Sequence, residues 1–316
     1  MSEKKLSIVI PHFNSPSSLS VLLDSIGRYD DTEIIVVDDH STKYLDEYAV
    51  CVEKYSGAGV RFFINDSGEK SAGAARNIGL EAATGKWVLF SDADDYFLDG
   101  MHDTVKKYFD DEEYDIIHFT VSETDQKFHQ ESLRKAVSRY NLLCETWLRG
   151  IEHADSMIRY YFYAPWSKMI RRSMIEKNHI RFDPVRYSND LMFSTRIGYY
   201  ADKVTVCPTP IYFHMTTSGS LSTNASEEAF YIKQLAYCDR CDFLREHLSP
   251  EELDSIENNE GLRRLLIVIR RRYGLRNFIK YYKLYRAHHL PIFTLKPDEI
   301  TKMKRQLRQD KKERRA

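Results

Sequence analysis

The stretch Trp87-Val88-Leu89-Phe90-Ser91-Asp92-Ala93-Asp94-Asp95 decides the fold of this chain. Its first four residues are bulky and apolar and follow a Thr-Gly-Lys turn signal, so they predict a short buried strand. Three carboxylates then occur within four residues, at the point where that strand should end. Because ionised carboxylates repel one another, such a cluster indicates a bound cation or several hydrogen-bond donors, and a solvated acidic turn is the alternative. Oxygen ligands at an open strand end suit a hard divalent cation, Mg2+ or Mn2+, which also binds phosphate oxygens.

The preceding sequence alternates between strand and helix patterns. Strands are predicted at residues 6–10, 33–37 and 60–64, and helices at residues 17–29, 44–55 and 73–83. This alternation predicts an α/β fold whose parallel sheet has right-handed crossovers. Asp38 and Asp39 follow the second strand, so both acidic groups should lie at the edge where open α/β sheets bind ligands. The chain has no glycine-rich phosphate-binding loop of either common type, so a nucleotide bound here needs a metal and basic side chains.

Six segments resemble, in order and spacing, the motifs of a family 2 glycosyltransferase. They are Ile8-Val9-Ile10-Pro11-His12-Phe13-Asn14, Ile35-Val36-Val37-Asp38-Asp39-His40-Ser41, Gly73-Ala74-Ala75-Arg76-Asn77-Ile78-Gly79, Phe90-Ser91-Asp92-Ala93-Asp94-Asp95, Trp166-Ser167-Lys168-Met169-Ile170-Arg171-Arg172 and Ser188-Asn189-Asp190-Leu191-Met192-Phe193. The resemblance covers roughly residues 6–222. It implies the GT-A fold, a Rossmann-like, mostly parallel sheet flanked by helices, with a helical C-terminal extension.

The resemblance implies a binding site for a UDP-sugar. Asp39 is expected to accept a hydrogen bond from uracil, with Pro11 and Phe13 lining the base pocket and Asn14 in the same binding set. Capping of the following helix is the alternative role for Asp38 and Asp39.

Two basic side chains, Arg76 and His214, are expected near the diphosphate, where a guanidinium can pair with two phosphate oxygens. Their alternatives are an exposed helix residue for Arg76, and a core or surface histidine for His214.

Within the acidic cluster, the resemblance assigns the metal to Asp94 together with Asp92, and the ribose hydroxyls to Asp92. Asp95 is expected to contact the sugar or to support the other two carboxylates. The cofactor, Mn2+ or Mg2+, would bridge both phosphates and neutralise charge on the departing UDP.

Asp190 is the expected general base, since an inverting transfer needs a base beside the acceptor hydroxyl. The family places its base in a Glu-Asp pair, and this chain has Asn189 in place of the glutamate. The loss of that negative charge should leave the pKa of the base less raised than in relatives. Capping of the following helix is the alternative for Asp190. Asn189 and Trp166 are expected on the acceptor side, Trp166 by stacking on a sugar unless it belongs to the core.

The charge of the chain is divided unevenly. Residues 262–316 carry 18 lysines and arginines against 4 acidic residues, a net charge of +14, whereas the preceding 261 residues carry a net charge of -15. Helical spacing of apolar residues continues through 262–285, and residues 302–315 are basic with little apolar content. We therefore expect two domains, residues 1–224 for nucleotide-sugar binding and catalysis and residues 225–316 as a helical, basic region. An anionic membrane surface is the expected partner of this region, and packing on the acidic body or an oligomer contact is the alternative. No nucleic-acid-binding motif accompanies the charge, so nucleic acid is not expected.

The cysteine content predicts reduced thiols. The five cysteines are odd in number, and Cys238 and Cys241 form the only C-x-x-C spacing, without a second pair for zinc. The first residues precede too few apolar residues for a signal peptide, and no run approaches the roughly 20 apolar residues that cross a bilayer. The expected location is the cytoplasm, peripheral at the inner face of the cell membrane.

The sequence therefore predicts a metal-dependent, inverting glycosyltransferase. It would move one sugar from a UDP-sugar to a lipid-linked glycan acceptor in bacterial surface polysaccharide assembly, such as O-antigen, capsule or lipooligosaccharide. The alternatives are a nucleotide-sugar-binding or scaffold protein with a degenerate site and a nucleotidyltransferase. The last would need a glycine- and lysine-rich loop after the first strand, which residues 11–18 do not provide.

Overall fold

The computed structural model describes residues 3–125, 130–131, 135–215, 226–256 and 261–292, and strands alternate with helices over its first hundred residues. The elements there are β1 (Leu6–His12), α1 (Pro16–Ile26), β2 (Thr32–Asp38), α2 (Leu45–Ser56), β3 (Arg61–Ile64), α3 (Ala72–Ala82), β4 (Trp87–Phe90), β5 (Tyr96–Phe97) and α4 (Met101–Lys106). The strand predicted before the acidic cluster is confirmed at both ends. The three strands and three helices predicted before it are also present, with ends that differ by at most three residues.

The elements that follow are more irregular. They are β6 (Ile116–Ser122), β7 (Thr124–Asp125), β8 (Gln130–Glu131), α5 (Lys135–Leu148), α6 (Ala154–Tyr160), β9 (Lys168–Arg171), α7 (Arg172–Lys177), α8 (Leu191–Tyr200), β10 (Val204–Phe213), α9 (Glu227–His247), α10 (Pro250–Ser255), α11 (Gly261–Arg270) and α12 (Gly274–Ala287).

One sheet of eight strands organises the first part of the chain, in the order β3-β2-β1-β4-β9-β6-β10-β5. Strands β1 to β4 are parallel to one another, and β6 and β10 run in the same direction. Strand β9 is antiparallel to both of its neighbours, and β5 is antiparallel to β10. The expected mostly parallel sheet is therefore confirmed, with β9 inserted in the opposite direction.

The centre of the sheet is buried on both faces. Every residue of β1, β2 and β4 is buried, which requires cover on both faces and explains their continuous apolar runs. Helix α3 lies directly against β1 at Gly79, where a Cβ atom would stand 2.4 Å from Cγ1 of Val9. Only glycine allows this approach, so α3 and the residues before it are held close to the carboxyl edge of the parallel strands.

The chain divides into two compact units, residues 1–236 and 237–316. The first contains the sheet. In the second, Cys238, Leu265, Val268, Tyr281 and Tyr285 are buried. The domain boundary predicted between residues 224 and 225 lies outside the described residues. All five cysteines are free thiols and all are buried.

The helical spacing predicted along residues 262–285 is confirmed by α11 and α12, which bury only part of their apolar residues. Leu265 and Tyr285 are buried, but Ile269, Leu275 and Ile279 are 58%, 74% and 45% exposed. The reason is that α11 and α12 each bury one narrow side, so the remaining apolar residues face outward. The basic segment predicted at residues 302–315 lies outside the described residues. Among the residues that are described, no helix is long and apolar enough to cross a bilayer.

Candidate active site

The candidate site lies where three parallel strands end side by side. Strand β1 pairs with β2 on one side, with His12 opposite Asp38, and with β4 on the other, with Val9 opposite Phe90. The residues that follow these strands therefore meet at one edge of the sheet. The order β2-β1-β4 places this edge at the reversal of strand order, where open α/β sheets bind ligands.

Asp38 organises the loop after β1. Its carboxylate accepts hydrogen bonds from Nδ1 of His12 at 2.8 Å and from the hydroxyl of Ser41 at 2.5 Å. The backbone N–H of Ser15 donates to Nε2 of His12 at 3.1 Å, so this nitrogen is the acceptor and Nδ1 is the donor to Asp38. Burial opposes ionisation of Asp38, but the bonds from His12 and Ser41 outweigh it and lower the pKa of the carboxyl. Asp38 is thus a structural residue of the site.

Asp39 lies beside Asp38 but has a different environment. Its Oδ1 accepts from the side-chain amide of Asn65 at 2.6 Å and from the backbone N–H of Ser71 at 3.2 Å. Burial raises the pKa of Asp39 despite these bonds. The helix-cap alternative for both aspartates is wrong, because Tyr44 occupies the cap position of α2 and its side chain makes no cap bond. The uracil contact expected of Asp39 stays a prediction.

The expected base pocket has one basic residue that the sequence did not single out. Phe13 is 45% exposed, and Nζ of Lys70 lies 4.3 Å from the centre of its ring. Lys70 also donates to the backbone oxygen of His40 at 3.0 Å, while Pro11 is buried. Oδ1 of Asn14 accepts from the backbone N–H groups of residues 42 and 43 at 2.7 and 2.8 Å. Asn14 therefore fastens two loops of the pocket together.

The three carboxylates of the acidic cluster separate into one buried group and two accessible ones. The side chain of Asp95 has 0% exposure, whereas Asp92 and Asp94 are partly exposed. Asp95 accepts from the hydroxyl of Tyr212 at 2.7 Å, from Nδ1 of His214 at 2.8 Å and from the backbone N–H of Met215 at 2.8 Å. The expected sugar contact of Asp95 is wrong, because its oxygens are buried and already bonded to Tyr212, His214 and Met215. Its other expected role, support of Asp92 and Asp94, remains.

The hydroxyl of Tyr212 joins this buried group to the accessible one. It donates to Asp95 and accepts from the backbone N–H of Asp92 at 3.1 Å. Burial, only partly offset by His214, raises the pKa of Asp95 to about 6. His214 lies at the end of β10 and packs on Trp166, with ring centres 5.3 Å apart. His214 thus binds a carboxylate of the protein, and the diphosphate contact expected of it stays a prediction.

Arg76 connects the acidic cluster to the segment before α8. One terminal nitrogen donates to Oδ1 of Asp92 at 2.5 Å, and the other donates to Oδ1 of Asn189 at 3.0 Å. The exposed-helix alternative for Arg76 is wrong, since its side chain is 7% exposed and its guanidinium lies 5.4 Å from the ring of Phe182. Among the described residues, its buried Nε has no hydrogen-bond partner. A diphosphate contact for Arg76 stays a prediction.

Asn189 belongs to the interior of the site. Its Oδ1 is held by Arg76, its Nδ2 donates to the backbone oxygen of Val185 at 3.3 Å, and it is 9% exposed. The space beside it is also filled, because a Cβ atom at Gly73 would stand 2.8 Å from Cβ of Asn189. Its contacts position the segment that ends at Asp190, and the acceptor-side role expected of Asn189 stays a prediction.

Asp190 occupies the first position before α8, but its side chain makes no cap hydrogen bond. The helix-cap alternative is therefore wrong. Burial is the main reason that the pKa of Asp190 is raised to about 6, with Arg76 opposing the shift and Asp92 adding to it. A partly buried carboxyl that titrates near neutral pH has the properties of a general base.

Lys168, the first residue of β9, is a buried basic residue near Asp190 for which the sequence motif predicts no role. It is 2% exposed, and its Nζ donates to the backbone oxygen of Phe162 at 2.9 Å. Burial lowers the pKa of Lys168 to about 7, and the charge of Asp190 opposes that shift. A lysine between apolar strand residues was the sequence signal for this position.

Trp166 does not face an acceptor. It is 3% exposed, and its indole packs against the rings of Tyr140, Phe162, Tyr212 and His214. The expected stacking on a sugar is therefore wrong, because aromatic neighbours already cover the ring. Trp166 instead supports the wall that carries the Asp95 cluster.

The metal expected at this edge would have few protein ligands. Among the described residues, no group of three or more histidine, cysteine or carboxylate side chains is arranged to hold a metal ion. Asp92 and Asp94 are the accessible carboxylates. Mg2+ and similar cations in nucleotide sites use one or two carboxylates and take their other ligands from phosphates and water. The residues present therefore fit a cation that is bound together with a diphosphate.

Comparison with known proteins gives a consistent assignment. The family described as "Glycosyl transferase family 2" matches residues 7–178. The putative glycosyltransferase EpsH of Bacillus subtilis is 25% identical over 258 residues, which are 80% of this chain and 72% of EpsH. The poly(ribitol-phosphate) beta-N-acetylglucosaminyltransferase TarS of Staphylococcus aureus is 25% identical over 236 residues, and these span 72% of this chain but 39% of TarS.

Two solved structures share the fold. Residues 1–349 of S. aureus TarS in complex with UDP-GlcNAc superpose with a TM-score of 0.58 at 19% identity, covering 90% of this chain and 92% of that chain. The mannosyltransferase PcManGT of Pyrobaculum calidifontis, in complex with GDP-Man and Mn2+, gives a TM-score of 0.57 at 15% identity, covering 91% of this chain and 76% of that chain. The GT-A architecture expected from the sequence is thereby confirmed.

The hydroxyl of Tyr212 provides a test of the buried cluster. Tyr212→Phe removes one donor to Asp95 and the acceptor for the N–H of Asp92, so the free energy of unfolding should fall by about 1–3 kcal/mol. Urea denaturation monitored by circular dichroism measures the change. Tyr200→Phe, at a tyrosine that is 36% exposed, is the matched control and should change stability little. Equal stability of the Tyr212 variant and the wild type would contradict the role given to this hydroxyl.

Proposed function

The chain belongs to glycosyl transferase family 2 and is a glycosyltransferase, and we propose that it transfers one sugar from a UDP-sugar, with inversion, to a glycan acceptor. The observation that carries the proposal is the bridge made by Arg76. It joins Asp92, at the donor edge of the sheet, to Asn189, the residue before Asp190. The donor-binding carboxylates and the candidate base thus belong to one network.

The donor site is proposed at the ends of β1 and β2. Asp39 would accept from the ring N–H of uracil, while Phe13, Pro11 and Lys70 form the sides of the base pocket. The raised pKa of Asp39 reflects a desolvated carboxylate, and such a group gains from a neutral N–H donor. TarS, which shares the fold, was solved with UDP-GlcNAc, and this supports a uridine nucleotide.

The metal is proposed at Asp94 together with Asp92, which would also contact the ribose hydroxyls. PcManGT, of the same fold, was solved with GDP-Man and Mn2+, and this supports a divalent cation here. When bound, Mn2+ or Mg2+ supplies Lewis-acid stabilisation of the charge on the departing UDP. Arg76 adds a fixed positive charge beside Asp92, so it would favour the same diphosphate.

Asp190 is proposed to take the proton of the acceptor hydroxyl. A carboxyl with a pKa of about 6 is ionised at neutral pH and is a stronger base than an ordinary aspartate. Asn189 contributes no charge, so Arg76 is neutralised by Asp92 alone and also attracts the carboxylate of Asp190. Lys168 acts in the same direction, and both cations keep Asp190 ionised despite its burial.

The acceptor is proposed to be a lipid-linked glycan of a bacterial surface polysaccharide, reached at the cytoplasmic face of the cell membrane. EpsH and TarS are bacterial relatives, and TarS is named for a poly(ribitol-phosphate) acceptor. Residues 261–292 contain nine lysines and arginines and no acidic residue. The exposed Ile269, Leu275 and Ile279 lie among these charges. Apolar side chains surrounded by cations suit the interface of an anionic bilayer.

The metal assignment is tested by Asp94→Asn. This change removes a ligand charge but keeps the shape, so Mn2+-dependent transfer and UDP binding should both fall strongly while the fold is kept. Isothermal titration of UDP with and without Mn2+, and UDP release from a panel of UDP-sugars, measure these effects. Asp99→Asn, at an exposed carboxylate just after the cluster, is the control. Full activity in EDTA, or an unaffected Asp94 variant, would refute the metal site.

The base assignment is tested by Asp190→Asn. Turnover should fall by roughly 10²–10⁴-fold, the usual effect of losing a general base, with UDP binding unchanged. The wild-type kcat should decline as the pH falls through about 6, because protonation of Asp190 removes the base. Asp202→Asn, at an exposed carboxylate beyond the other end of α8, is the control.

The same variant separates catalysis from stability. A raised folded-state pKa means that the ionised Asp190 costs folding free energy above that pKa, so at pH 8 the melting temperature of Asp190→Asn should be unchanged or higher. Retained turnover together with a lowered melting temperature would mean that Asp190 serves the fold only.

Membrane binding is tested by sedimentation with phosphatidylglycerol vesicles. The wild type should co-sediment at low salt and be released at high salt, because each basic residue near the surface contributes about 1 kcal/mol and is screened by ions. Leu275→Glu combined with Ile279→Glu should abolish co-sedimentation. Val50→Glu combined with Ile64→Glu adds the same charge at two exposed apolar residues of the first unit and should not. Equal behaviour of both double variants, or binding that salt does not change, would refute this surface.

A further inference from the structure

The segment 159–168 runs alongside α8 toward the end that carries Asp190. Arg159 donates to the backbone oxygens of Gly198 and Ala201 at 2.8 and 2.6 Å. Four residues later, the backbone oxygen of Tyr163 accepts from the hydroxyl of Ser194 at 2.5 Å. The segment therefore follows α8 in the reverse direction, and at Tyr163 it is one turn away from Asp190.

The segment that contains Tyr163 also contacts the end of β4. Trp166 forms an isolated parallel bridge with Phe90, the last residue of β4 and two residues before Asp92. Tyr163 stands three residues before this bridge, and its carbonyl is fixed to the second turn of α8. Side chains on a helix lean toward its N-terminus, so Ser194 holds the segment on the side of Asp190. The bond to Ser194 thus places the backbone of Tyr163 one helical turn from the candidate base.

The backbone at this point is rigid. Two successive carbonyls, those of Phe162 and Tyr163, accept hydrogen bonds from Lys168 and Ser194, which belong to different elements. Phe162 is buried, and the side chain of Tyr163 is 50% exposed. The ring of Tyr163 is therefore exposed on a fixed backbone, whereas the nearby Trp166 is buried.

We propose that Tyr163 is the aromatic platform of an acceptor subsite, on which the second sugar ring of the acceptor stacks. This inference rests on the proposed function, because it takes Asp190 as the point where the first acceptor ring reacts. One helical turn is about 5.4 Å, which is comparable to the length of one pyranose ring. Tyrosine offers a large rigid surface at low entropic cost, and the C–H face of a pyranose packs on it as other apolar groups do. Tyr163 thus takes the stacking role that the sequence assigned to Trp166.

The test compares a one-ring and a two-ring probe, methyl β-D-glucoside and cellobiose, by NMR titration in the presence of saturating UDP and Mn2+. The wild type should bind cellobiose about tenfold more tightly, the gain of one stacked ring. Tyr163→Ala should bind both probes equally, whereas Tyr163→Phe should keep the preference because the ring and not the hydroxyl makes the contact. Tyr200→Ala, at an exposed aromatic residue at the far end of α8, should also keep it.

The outcomes separate this inference from the proposed function. UDP binding by each variant reports the state of the donor site. A wild type that does not bind UDP would refute the donor assignment and not the role of Tyr163. With UDP binding intact in all variants, a cellobiose preference that survives Tyr163→Ala would overturn the inference. The same conclusion would follow if the wild type showed no preference between the probes.

Discussion

The site depends on how the chain accommodates three carboxylates within four residues. If all three were ionised side by side and partly buried, they would repel one another strongly, so each needs different neighbouring groups. Asp95 is buried and surrounded by the hydroxyl of Tyr212, the ring of His214 and a backbone N–H. Asp92 is paired with Arg76, and Asp94 stays at the surface of the cleft. Asp95 thus has a structural role, and Asp92 and Asp94 remain accessible to a ligand.

Arg76 connects the acidic cluster to the segment before α8. Its two terminal nitrogens reach β4 and the segment before α8, which are far apart in sequence, and its burial fixes their separation. A glutamate at position 189, as the resemblance to the family implies, would give the guanidinium two carboxylates; here it meets one. The guanidinium also attracts the carboxylate of Asp190 and so opposes the effect of burial on its pKa. Asn189 therefore changes the electrostatics of the base while it keeps the hydrogen bond that positions it.

The sequence predicted the parts of the fold that depend on local patterns. Apolar runs with turn signals located β1 to β4, and their alternation with helices gave the parallel half of the sheet. Strand β9 was beyond such reasoning because it has four residues and is defined only by pairing with β4 and β6. The sequence left Asp95 and Trp166 each with an exposed and a buried role, for a related reason. A motif specifies which residues stand near a site, but burial by distant elements decides which of them a ligand can reach.

Asp95 and Asp190 make this distinction concrete. Burial raises the pKa of each to about 6, so titration alone does not tell which is the base. Asp95 is fully buried and saturated by donors of the protein, and a proton taken there would have no path from a substrate. Asp190 is partly exposed, makes no cap bond, and lies one turn from Ser194, which holds the backbone of Tyr163. A carboxyl with a raised pKa is a candidate catalyst only where a second molecule can also reach it. Of these two aspartates, Asp190 alone meets both conditions.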